Sequence, residues 1–186
     1  MHHGKSGFSD FNNNMFMEAN FKNTQVSTND LNTFYKEFAK NQNINLEGNF
    51  SGTLNNFLFD DVHLSTQNTH ISGDFKFINL FDSEAIYDLQ LNNHNISTSY
   101  FELRRFMPRI LGDVLTKEVK NLGPFQFIGS TRIKGEDLST NSTLRSAIGN
   151  AKANFSMGNI NNIENAFYEG HIDLEGFDLG KILESI

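Results

Sequence analysis

Apolar and polar residues alternate with a period of two along most of this chain. The first clear run begins at Asn43. Ile44, Leu46, Phe50 and Leu54 alternate there with Asn45, Glu47, Asn49, Ser51 and Thr53, and Gly48 and Gly52 take places in the apolar register. Leu58, Val62 and Leu64 share a parity, although Phe57 and Phe59 blur the start of that run. Ile71, Gly73, Phe75 and Phe77 then alternate with His70, Ser72, Asp74 and Lys76, and Ala85, Tyr87, Leu89 and Leu91 with Asp88, Gln90 and Asn92. Phe125, Phe127, Gly129, Thr131 and Ile133 resume the pattern. Three further strands are expected over 142–150, 151–160 and 164–176. In the last, Ala166, Tyr168, Gly170, Ile172 and Leu174 oppose Phe167, Glu169, His171, Asp173 and Glu175. Such runs, separated by a few turn residues, predict consecutive antiparallel strands in a meander.

Three stretches depart from this period. Ser27-Thr28-Asn29-Asp30 supplies N-cap candidates ahead of Leu31, Phe34, Tyr35 and Phe38, which predicts an amphipathic helix over 29–41. Between 98 and 122, Tyr100, Leu103, Phe106 and Met107 have helical spacing. Pro108 suits the start of a second helix carrying Ile110, Leu111, Val114, Leu115 and Val119, and Gly123-Pro124 closes the insertion. Residues 177–183 also read as helical. Before the first helix, 8–26 read as one or two strands, and 1–7 as a tag remnant or disordered start. The expected fold is mainly β: eight or nine long strands forming one unit over 8–186, with two or three short helices. Three short helices cannot cover so many strands, so the apolar side must close as a barrel, a sandwich or an open gutter. The uncapped tail suggests a segment of a longer protein.

Composition narrows the chemistry. Lys plus Arg is 15 against 22 Asp plus Glu, so the net charge is −7 and a nucleic-acid backbone finds no basic footprint. With no cysteine, thiol catalysis and cysteine-based metal sites are excluded. Phenylalanine occurs 19 times and asparagine 26 times, which fits strands with one greasy face and one neutral polar face. Gly4-Lys5-Ser6 ends like a phosphate-binding loop but lacks the preceding strand and the earlier glycine. His63 and His70 flank one turn without a carboxylate cluster. They, His94 and His171 are read as solvent-facing strand residues rather than metal ligands. Asp60-Asp61 and Glu136-Asp137 are read as turn carboxylates. The Asn-x-Ser/Thr matches at Asn49, Asn95, Asn141 and Asn154 arise readily in such a composition. No motif calls for catalysis or a cofactor, and the chain is read as a non-enzyme.

The apolar register carries the candidate site: Ile44, Leu46, Phe50, Leu54, Ile71, Phe75, Phe77, Tyr87, Leu89, Leu91, Phe125, Phe127, Ile133, Phe155, Met157, Tyr168, Ile172 and Leu174. As a filled core these residues would be ordinary. Long strands, and a lining of Phe and Met rather than interlocking branched residues, favour an adaptable surface instead.

Several stretches carry a family resemblance. They are Asn29-Asp30-Leu31 through Phe38, Leu46-Glu47-Gly48-Asn49-Phe50-Ser51-Gly52-Thr53-Leu54, and Thr98-Ser99-Tyr100-Phe101-Glu102-Leu103 followed by Met107-Pro108-Arg109-Ile110-Leu111-Gly112. Leu122-Gly123 ahead of Phe125, Ala147-Ile148-Gly149-Asn150, Ala166-Phe167-Tyr168-Glu169-Gly170 and Gly176-Phe177-Asp178-Leu179-Gly180 complete the set. In order and spacing the chain resembles the AsmA-like/TamB proteins of Gram-negative envelopes, in their Bacteroidetes form. The resemblance implies a β-taco, a gutter of stacked strands with a hydrophobic inner face, in a periplasmic protein anchored in the inner membrane by a helix outside this segment. It implies passage of phospholipid acyl chains between the two membranes, with the eighteen residues above as groove lining. The alternative is a scaffold for outer-membrane protein assembly that uses exposed strand edges beside an Omp85-type barrel. An ordinary lyase or adhesin β-fold would instead require a closed core of phenylalanines.

Overall fold

Alternation of Phe, Leu and Ile with Asn, Ser and Thr gives each strand two unlike faces, and each strand joins the next in antiparallel sense, by a short turn or by a longer segment carrying a helix. A computed structural model describes residues 11–34, 36, 38–80, 82, 84–106, 108, 117–160 and 162–183. Nine strands form one sheet in simple sequence order: β1 (Met17–Ser27), β2 (Asn43–Gly52), β3 (Phe57–Ser65), β4 (His70–Ile78), β5 (Asp88–Ser99), β6 (Pro124–Lys134), β7 (Asp137–Ser146), β8 (Gly149–Gly158) and β9 (Phe167–Glu175). Every neighbouring pair is antiparallel. Among the described residues β1 and β9 each pair on one side only, so the sheet is open. The expected meander is therefore present.

The helices are short. They are α1 (Phe11–Asn14), α2 (Thr28–Phe34), α3 (Tyr100–Phe106) and α4 (Leu179–Leu183), with 3-10 turns at Lys117–Leu122 and Ile163–Asn165. The helix expected over 29–41 stops at Phe34. Asn32 explains much of this: its amide donates to the carbonyl of Phe38 (2.9 Å) and accepts from the Phe38 N–H (3.0 Å). Local bonding of this kind competes with continued helix. Thr28, fully buried, closes the loop by bonding the backbone of Gln42 in both directions. The insertion expected over 98–122 starts later, because Thr98 and Ser99 extend β5 through pairing with Phe125 and Pro124. Its second helix was expected on Ile110, Leu111, Val114 and Leu115, which lie outside the described residues, as do 1–10.

Strand register explains where alternation failed to read cleanly. β1, β3 and β5 each carry one extra residue relative to a neighbour: Phe21 to Thr24 opposes Gly48 to Leu46, Phe59 to Val62 opposes Phe75 to Gly73, and Leu91 to His94 opposes Thr131 to Gly129. Asn23, Asp61 and Asn93 hold positive φ at these bulges, a backbone region that short polar residues tolerate. A bulge reverses parity along its strand. Phe57 and Phe59 therefore share a face with Val62 and Leu64, while Leu58 pairs with Ser51 and Lys76 on the other face. The strand expected over 142–150 is β7, which begins at Asp137. Its early inward positions include Thr140 and Ser142, so no apolar alternation announced it.

Buried apolar side chains are few among the described residues: Ile44, Val62, Tyr100, Leu122 and Ile148. α2 and α3 make their principal sheet contacts with β1 and β5, the strands that precede them.

Candidate functional site

Following partners from strand to strand sorts the apolar register into rows that cross the sheet. Leu46, Leu64, Ile71, Ile96, Phe127, Leu144, Ala151 and Leu174 form one row, spanning β2 to β9. A second runs Phe50, Phe59, Phe75, Leu91, Thr131, Thr140, Phe155 and Gly170. A third runs Phe57, Phe77, Leu89, Ile133, Leu138, Met157 and Tyr168. Aromatic rings cluster where these rows cross β2–β4: Phe57 stacks on Phe77 at 4.5 Å, and Phe50 meets Phe57 at 5.1 Å. Phe50, Phe57, Phe59, Phe75 and Phe77 are all half-buried, as are Leu89, Leu91, Phe127, Ile133, Phe155 and Met157.

Sixteen of the eighteen predicted lining residues lie on this one face. Leu54 and Tyr87 do not belong to strands. β2 ends at Gly52, and Leu54 sits in the turn before β3, where Thr53 and Asn56 pair through their backbones. Tyr87 precedes β5 and is exposed; its hydroxyl donates to the carbonyl of Gly135 at 2.9 Å, which fastens the loop to the β6–β7 turn. On β9, Tyr168, Ile172 and Leu174 are well exposed. The sequence reading missed Phe57, Phe59, Ile96, Leu138 and Leu144, whose parity the bulges and the polar start of β7 disguised.

The same face holds one unexpected group. His94 has no exposed surface, so it is not the solvent-facing residue expected. Its bulge at Asn92–Asn93 turns the side chain inward, between the first and second rows. The ring stacks on Phe127 (4.6 Å between centroids). Nδ1 lies 3.3 Å from the carbonyl of Phe127 and Nε2 3.0 Å from Thr131 Oγ1. In the tautomer these distances assign, Nδ1–H donates to the carbonyl and Nε2 accepts from Thr131. Thr131, Thr140 and Ser142 continue a chain of hydroxyls, at 2.9 and 2.6 Å. Removal from water pushes the imidazole below the usual histidine range, against the Phe127 carbonyl, which favours the charged form.

The opposite face is polar. Asn20 pairs with Asn49, and Gln126 donates to Asn95 at 3.0 Å. The Arg132 guanidinium makes two bonds to Asp88, at 2.9 and 2.6 Å, and holds that carboxyl below its ordinary range. A depression of about 630 Å³ crosses β2–β5 here, lined by residues including Asn45, Glu47, His63, His70, Ser72 and Asn95. A twisted sheet is saddle-shaped and hollows both faces. His63 and His70 border this depression without meeting, and His63 instead faces Asp61 at 3.4 Å. Among the described residues, no three His, Asp or Glu side chains converge as metal ligands. No described helix is long and apolar enough to cross a membrane. No protein-family model, curated protein or solved structure matches this chain.

Proposed function

We propose that this chain is a segment of a curled β-gutter whose apolar face guides lipid acyl chains. One observation carries the reading. The cross-strand rows led by Leu46, Phe50 and Phe57 are mostly half-buried rather than sealed, and α2 and α3 make their principal sheet contacts with β1 and β5, the strands they follow. A closed core would have excluded water from these phenylalanines. An acyl chain gives up about 0.8 kcal/mol per CH₂ on entering water, roughly 13 kcal/mol for sixteen carbons. A continuous apolar floor removes most of that barrier without a tight binding site. Nine strands at ~4.8 Å spacing span ~40 Å, so one such sheet carries a tail part of the way across an envelope. The resemblance to AsmA-like/TamB proteins supports a periplasmic setting, phospholipid as cargo and a non-enzymatic role.

The test is photo-crosslinking in cells, with probes at Phe75, Phe127 and Phe155. Lipid adducts are expected at all three and absent from a probe at Lys76 on the polar face. If the three inward probes capture no lipid, the conduit reading fails for this segment.

A further inference from the structure

Among the described strand residues on the apolar face, His94 alone carries a group that changes charge near neutral pH. The strands packed beside it, β4, β6 and β7, turn only apolar residues, glycine and hydroxyls toward the ring. Their ionisable groups stand on the polar face: His70, Asp74 and Lys76 on β4, Arg132 and Lys134 on β6, Asp137 and Arg145 on β7. Asp88, on the same strand as His94, is there too.

The hydrogen bonds around the ring serve either charge state. In the neutral form Nε2 accepts from Thr131 at 3.0 Å, Thr131 accepts from Thr140 at 2.9 Å, and Thr140 accepts from Ser142 at 2.6 Å. Hydroxyls both donate and accept, so the order can reverse. With a proton on Nε2, the ring donates to Thr131, Thr131 donates to Thr140, and Thr140 donates to the carbonyl of Ser130 at 3.2 Å. Ser142 reaches the same carbonyl at 3.4 Å. Thr140 is half-buried whereas His94 has no exposed surface, so solvent meets this chain at Thr140. One proton taken from water there moves each hydroxyl proton one place and leaves one positive charge on the ring. That charge sits between the rows led by Leu46 and Phe50, and a charge held in apolar surroundings draws water to itself.

We propose that His94 is a proton-operated break in the acyl-chain path. A proton on its ring wets the floor over β5–β7 and expels the acyl chain there, while the aromatic part over β2–β4 stays loaded. This inference rests on the acyl-chain reading.

Photo-crosslinking probes placed singly in the full chain test it, at Leu91 and Leu144 beside the ring and at Phe50 and Phe57 away from it. The chain is loaded from phosphatidylcholine vesicles between about pH 8 and about pH 5, with the imidazole nitrogens of His94 followed by NMR. Capture at Leu91 and Leu144 is expected to fall by about tenfold or more at the midpoint of the His94 titration, and capture at Phe50 and Phe57 to change by less than about twofold. His94→Gln, neutral throughout, removes the pH response. Should that variant not fold, agreement of the two midpoints in the unaltered chain decides the matter. The proposal is overturned, with the conduit left standing, by a ring that takes no proton in this range, by capture that ignores its titration, by a fall at all four probes together, or by a fall that survives in His94→Gln. Absence of lipid from all four probes at pH 8 is the separate failure of the acyl-chain reading, and this proposal falls with it.

Discussion

Along one face of one sheet, the part over β2–β4 and the part over β5–β7 are built from unlike materials. In the first, Phe50, Phe57, Phe59 and Phe77 meet ring to ring, and Phe75 lies in the same row as Phe50 and Phe59. In the second, equivalent positions of the same rows hold Thr131 and Thr140, with His94, Gly129 and Ser142 beside them. Apolar burial is non-directional and tolerates volume-conserving exchange. A buried polar group depends on each partner, because an unmatched donor or acceptor keeps its full desolvation cost. The β5–β7 part is therefore the more brittle of the two, although it contains less apolar bulk.

The sharpest way to break this contrast is at Gly129. Its φ is +147°, and an added Cβ would lie 2.2 Å from the carbonyl oxygen of Asn141 and 2.6 Å from the Cα of Ser142. Both obstacles are backbone, so neither can swing aside. Gly129→Val is expected to cost about 4 kcal/mol or more in urea unfolding, or to prevent folding.

Next in size is a matched pair of substitutions. Phe57→Ala removes a ring stacked on Phe77 and is expected to cost about 2–3 kcal/mol, whereas Phe57→Leu costs under about 1.5 kcal/mol. Thr131→Val changes shape far less, yet it removes the nearer partner of His94 Nε2, leaving only Ser142 Oγ at 3.4 Å, and cuts Thr140 off from the ring. It is expected to cost about 1–3 kcal/mol. The His94→Leu/Thr131→Val double variant should be less destabilised than the sum of the two single variants. Strict additivity in that cycle would show that the polar group does not act as a unit.

A smaller effect follows the pH. His94 is held neutral by burial, and no charged side chain shares its face in β4–β7. Its folded pKa lies below the ordinary 6.5, so the unfolded chain binds the proton more readily. The resulting stability is fully present above about pH 6.5 and is lost as pH falls towards the folded value. Thermal unfolding should show this slope as pH falls below 6.5, and His94→Leu should flatten it.

The smallest effect belongs to the polar face. Arg132 is half-exposed, so its bond to Asp88 is screened by water. Asp88→Asn is expected to lower Tm at pH 7 by no more than about 3 °C. Because the Asp88 carboxyl sits below its usual 3.8, that contribution is present above 3.8 and disappears as pH falls through the lower folded value. The acid limb of the variant's stability curve should be correspondingly shallower.

Residue by residue, the alternation was readable wherever a strand runs straight. Ile71, Phe75 and Phe77 on β4, and Phe125, Phe127 and Ile133 on β6, all share the inward face as their parity required. It misled at bulges. Nothing in Phe57-Leu58-Phe59-Asp60-Asp61-Val62 says which parity points inward, because the extra residue reverses it midway. Leu54 and Tyr87 failed for a different reason: each continues an apolar register past the last residue that ladder pairing holds in place. The length of α2 was equally hidden, since the Asn32 amide ends it through a contact that helical periodicity cannot encode.

The sequence by itself determined that this chain forms consecutive two-faced strands, because a period of two in side-chain polarity has one simple solution in backbone geometry. It also determined that the polar side is largely uncharged. Only the tertiary structure decided the register of each pair, the alignment of Gly48, Gly73 and Gly129 with the bulges at Asn23, Asp61 and Asn93, and the burial of His94. Those depend on which residues face one another across separate strands, and two residues far apart in the chain carry no mark of being neighbours until the ladder between them closes.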